Sequence, residues 1–100
     1  MTTDSTLTVA HTLAGLPVSD MGRAEDWYVK LFGKPADAAP MDILRDFRMS
    51  ELATVQLVLD PDHAGGGLLT LDVSSIDDAV AGIQARGLHP QRDDTTSRTG

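Results

Sequence analysis

Residues 16–33, LPVSDMGRAEDWYVKLFG, decide the fold. Leu16 and Val18 continue an alternation that begins at Leu7, so residues 7–18 predict a strand. Leu7, Val9, His11 and Leu13 fall on one face of it, and Ala10, Ala14, Leu16 and Val18 on the other. Pro17 has no N–H to give a neighbour, which places it near the strand's end or on a sheet edge. Ser19 and Asp20 offer side-chain oxygens to the first free N–H groups of a helix. Met21, Ala24, Trp27, Tyr28, Leu31 and Phe32 then recur at helical spacing, a stripe expected to be core. Gly33 suits the left-handed position that closes such a helix, and Pro35 prevents its continuation.

Outward from this unit, residues 34–42 read as a loop by their Pro and Ala content. Residues 42–49 (DILRDFRM) and 53–60 (ATVQLVLD) predict two strands joined by a polar turn at Ser50 and Glu51. Val55, Leu57 and Leu59 share one face of the second, and Thr54, Gln56 and Val58 the other. The glycines at 65–67 break the pattern as a flexible bend. Residues 68–73 (LLTLDV) predict a further strand, and Ser75 with Asp78 resembles a capping box ahead of the stripe Ile76, Ala79, Val80, Ile83. Gly87 ends that helix, and residues 91–100 are polar and aperiodic. Strand-then-capped-helix thus occurs twice, each time closed by a glycine. Two strand–helix–strands units place helices on one side of the sheets and leave an open cleft on the other, an α+β architecture.

One hundred residues suit a single small domain. Apolar residues make up 41%, and the nine glycines bring the set to the ordinary globular half, which excludes a disordered chain. The absence of cysteine excludes a disulfide framework, a thiolate nucleophile and Cys-ligated metal. The net charge of −7 argues against nucleic acid, which demands clustered Lys and Arg. That acidity is concentrated in residues 51–100, at −5 against −2 for residues 1–50, and reads most simply as solubility. No apolar run reaches the roughly 18 residues of a membrane span, and residues 1–11 lack the basic and apolar regions of a secretory signal. A cytoplasmic location, with no membrane partner, is the expectation.

The stretch 16–33 resembles the opening of the vicinal oxygen chelate superfamily, which includes glyoxalase, bleomycin-resistance proteins and extradiol dioxygenases, and residues 60–88 are similar to the start of that family's second module. The resemblance covers residues 11–89. It implies paired βαβββ modules, the first over residues 7–62 and a partial second over 66–100, with curved sheets around a small-molecule cavity, and a homodimer. Members usually continue through three more strands with a DPDGN-like turn, so the second module is expected to be incomplete here, whether through truncation or through completion by another chain. Metal-dependent members place a ligand at the position of Leu13, another at Gln56 and another at Leu68. These offer one amide where a hard divalent ion wants several carboxylates or imidazoles, so neither metal nor cofactor is expected. His11 is displaced by two residues, roughly 7 Å along the strand.

On this reading the cleft face carries Leu13, Phe47, Gln56, Val58, Leu68 and Thr70, an apolar surface with two polar handles. The implied function is a metal-free binding protein for a small apolar organic molecule, in the manner of the bleomycin-resistance branch. The alternatives are a metal-dependent glyoxalase- or dioxygenase-type enzyme, or a partial chain with only a structural or dimerisation role. No Ser–His–Asp arrangement, carboxylate pair or HExxH can be read, so no catalytic residue is assigned. His11, His63 and His89 read as packed or surface residues, Trp27 and Tyr28 as core, and Asp60, Asp62, Asp93 and Asp94 as solvated carboxylates. Arg45 and Arg48 would suit either an anionic ligand or a charged edge strand. Residues 65–67 lack both the GxGxxG pattern and the lysine of a phosphate loop.

Overall fold

The computed structural model describes residues 7–91. Strand β1 (Thr12–Val18) leads into helix α1 (Met21–Phe32), followed by the antiparallel pair β2 (Leu44–Ser50) and β3 (Ala53–Leu59) and, further on, helix α2 (Ile76–Ala85). The sheet order is β1-β3-β2, with β1 parallel to β3. Ala38 adds a single antiparallel bridge to Asp46 on the outer side of β2. The order through Leu59 is therefore strand, helix, strand, strand, with one isolated bridge inside the stretch 34–42.

Both helices start as their sequences dictate. Asp20 is extended, and its Oδ1 accepts from the Arg23 N–H at 3.1 Å. Ser75 Oγ accepts from the Asp78 N–H at 3.2 Å. At the other end of α1, Gly33 takes φ 76°, where a side chain would be strained, and its N–H closes onto the Val29 carbonyl. The Arg86 guanidinium reaches across from the end of α2 and donates to the Lys30 and Leu31 carbonyls, a cation on the negative end of the α1 dipole. Arg86 thus ties the two helices together.

The core lies between α1 and one face of the sheet. Leu16, Met21, Phe47, Val55 and Leu57 are buried there, with Ala24, Tyr28, Val29, Phe32 and Leu59 packed around them. Phe47 is fully buried and meets Phe32 with ring centroids 5.2 Å apart. Arg45 shares this face. Its Nε donates to Glu25 Oε1 at 2.9 Å, and its Nη1 bonds the Met41, Asp42 and Leu44 carbonyls. Its role is to fasten β2 and the loop before it to α1, not to select an anion.

Three expectations are corrected. Regular strand begins at Thr12, not Leu7, because the ladder with β3 begins at Ala53. Residues 68–73 form no strand: among the described residues nothing pairs with their backbone, and alternation without a partner does not make a ladder. Trp27 is 48% exposed, because it sits at the flank of the stripe. It stands edge-on to Tyr28 and borders a shallow seam with Ile83, Leu88 and Pro90 instead of the sheet. Asp93 and Asp94 lie outside the described residues.

Candidate functional site

Among the described residues, no helix covers the other face of the sheet. Register places its residues in rows: Leu44–Val58–Pro17, then Asp46–Gln56–Gly15, then Arg48–Thr54–Leu13. Parity explains the composition. Val55, Leu57 and Phe47 are committed to the α1 side, so their neighbours Thr54, Gln56 and Asp46 must point the other way. Thr54 is covered by His11, whose Nε2 lies 2.7 Å from Thr54 Oγ1. His11 is accordingly a packed residue that satisfies a buried hydroxyl. Leu13, beside it, is 54% exposed.

At the centre of the face, Gln56 Nε2 donates to Asp46 Oδ1 at 2.8 Å. Gly15 lies opposite Gln56 in the ladder, and a Cβ there would meet nothing nearer than Val58 Cγ2 at 3.8 Å. A shallow hollow of ≈ 600 Å³ runs from Gly15 and Pro17, on the edge strand β1, to the loop of residues 62–67, and neither Gln56 nor Asp46 lines it. That loop is held close because Gly67 lies against Leu16, where a Cβ would come within 2.9 Å of Cδ2. His63 stands at the rim, its Nδ1 2.8 Å from Asp60 Oδ2 in an exposed one-turn pair. A second hollow of ≈ 320 Å³ lies on the α1 side of the same loop, bordered by Leu16, Arg23 and Tyr28, with Asp20 already engaged in capping α1. Burial raises the Tyr28 hydroxyl above its ordinary pKa.

No protein-family model matches the chain, and no curated protein is similar to it. A crystal structure titled as a glyoxalase/bleomycin resistance protein, from Catenulispora acidiphila DSM 44928, superimposes with a TM-score of 0.83 at 27% identity, covering 91% of this chain and 81% of that one. The chain has the vicinal oxygen chelate fold. Among the described residues it comprises one three-stranded sheet and two α-helices, with no strand after β3.

Within the vicinal oxygen chelate fold the expected site residues separate. Leu13 and Gln56 share the open face, as does Val58. Phe47 does not: it is sealed against α1 on the opposite face, because its cross-strand partner is Val55, not Gln56. Leu68 is 92% exposed and Thr70 is also exposed, both outside the sheet, since the strand expected to carry them is absent. The residues sequence reasoning missed are Asp46 and Gly15. The signal that finds them is register: whatever pairs with Gln56 on either side borders the same site. The family's metal does not fit these residues. Leu13 and Leu68 have no donor atom, and among the described residues no three His, Cys, Asp or Glu side chains are grouped to share a cation.

Proposed function

We propose that this chain is a binding protein that takes up a small, largely apolar organic molecule on the open face of its sheet, without a metal ion. The observation that carries the reading is the face itself: Leu13, Pro17, Leu44 and Val58 share it with the polar pair Gln56 and Asp46, with Arg48 and Thr54 in the row beside Leu13. Apolar walls with few fixed polar groups are what small-molecule sites are made of. The fold likeness to a glyoxalase/bleomycin resistance protein supports the same reading. The glyoxalase- or dioxygenase-type alternative lacks a donor set at Leu13, Gln56 and Leu68.

The test has two arms on the full chain. Elemental analysis after dialysis is expected to give no stoichiometric nickel, zinc, iron or manganese. A metal-to-chain ratio near one, abolished by Gln56→Ala or His11→Ala, overturns the metal-free reading. A thermal-shift screen of flat organic compounds is expected to find stabilising ligands. Val58→Asp, half-buried on the open face opposite Pro17, should abolish their shifts, and equal shifts in both proteins would count against this face.

A further inference from the structure

We propose that the groove on the helix side of the sheet, between the end of α1 and α2, binds a small aliphatic carboxylate, its chain on the groove's apolar walls and its anion at Arg86 and Lys34. The groove has a volume of ≈ 310 Å³, at the small end of the range for ligand sites. Leu31 and Phe32 from α1, Met49 from β2, Leu71 and Val73 from the stretch before α2, and Ile83 from α2 form its walls. Phe32 and Met49 also pack against the core, which sets the groove on the side of the sheet away from Gln56. Leu71 and Val73 remain exposed although they border it, so apolar surface stays open there for a ligand to cover.

Charge decides the class of ligand. Among the described residues that border the groove, Lys34, Arg48 and Arg86 are cationic and none is acidic, in a chain whose net charge is −7. Arg86 is the prepared donor. Its Nε and Nη2 donate to the Lys30 and Leu31 carbonyls, so the guanidinium is ordered before a ligand arrives. Its Nη1 bonds no described residue, and Gly33 and Gly82 leave it room: a Cβ on either would stand 2.9 or 3.2 Å from it. Lys34 Nζ donates to Asp37 Oδ2 and to the Arg48 carbonyl, which leaves one of its N–H groups free. Asp37 neutralises Lys34 in part, whereas Arg86 is in no ion pair. Arg48 alternates toward the open face, and its guanidinium, also in no ion pair, adds to the positive field at this rim. A carboxylate accepts from these donors with charge assistance, while an ammonium finds no charged acceptor among the bordering residues.

The experiment compares octanoate, octanamide and octylammonium by calorimetry and by amide shifts of the labelled full chain at pH 7. Octanoate is expected to bind at least about tenfold tighter than octanamide, with octylammonium weakest, and to shift the Met49, Val73 and Ile83 amides. Arg86→Gln and Lys34→Gln together should erase the preference for octanoate while leaving octanamide binding. Ala79→Leu, half-buried on the border of the groove, should fill it and weaken all three probes. Equal affinity for octanoate and octanamide, or a preference that survives the double variant, overturns the anion. Shifts confined to Gly15 and Gln56 place octanoate on the open face and overturn the groove. Groove amides that move with protein concentration and with no probe show that a second copy fills it, which overturns the ligand. The three-probe comparison in wild type decides the matter even if the double variant does not fold.

Discussion

Phe47 and Gln56 sit one row apart in the sheet and face opposite ways. Strand β2 alternates Leu44, Asp46, Arg48 against Arg45, Phe47, Met49, so each face holds both apolar and charged residues. Alternation alone cannot say which set meets the helix. Arg45 hides the answer, because a cation on the core side becomes intelligible only with Glu25 beside it. Strand β3 is legible: Val55, Leu57 and Leu59 are uniformly apolar, so Gln56 and Val58 had to face away. Phe47 is consequently a stability residue. Phe47→Ala should cost about 3–5 kcal/mol, as for other buried aromatics, read as a lower urea midpoint. A loss under about 1 kcal/mol, outside the range for such truncations, would show that the α1 interface does not depend on it.

Helix boundaries were readable because caps are local chemistry. Asp20 and Ser75 each bond an N–H three residues on, which needs no knowledge of the rest of the fold. Asp20→Ala should lower stability by about 0.5–2 kcal/mol, and Ser19→Ala, whose hydroxyl caps nothing in α1, should change little. Asp37 plays a similar part for the loop after α1. Its Oδ2 accepts from Lys34 Nζ at 2.7 Å and from the Arg48 N–H at 2.6 Å, and these partners hold its carboxyl below the ordinary 3.8. A depressed carboxylate stabilises the fold above its unfolded pKa and loses that contribution as acid protonates it. The stability difference between wild type and Asp37→Asn should thus be full at neutral pH. It should shrink as pH falls below 3.8 toward the depressed value, as followed by urea titrations at each pH. A difference independent of pH would remove Asp37's charge from the account.

The stretch 68–73 was illegible for the opposite reason: strand formation depends on a partner, and alternation reveals only willingness. Here Leu69 reaches the core, while Leu71 and Val73 remain 44% and 43% exposed and Leu68 and Ile76 more so. Their backbone pairs with nothing among the described residues. Each large aliphatic side chain left in water forgoes about 1.5–3 kcal/mol, a sizeable share of the roughly 5–15 kcal/mol that holds a domain folded. Extended backbone with free N–H and C=O groups and aliphatic side chains recruits another strand of the same kind. In a purified solution the chain that offers one is a second copy. We therefore expect self-association through residues 68–73, with light scattering after size exclusion giving a mass that rises from one chain toward two as concentration increases. Leu68 and Thr70 are exposed, so Leu68→Lys with Thr70→Lys should leave the fold intact, place like charges on the pairing edge and return the protein to a monomer. Association unchanged by the double variant would place the contact elsewhere. A wild-type monomer at every concentration, with a cooperative melt above about 65 °C, would show that one module and α2 suffice without a partner.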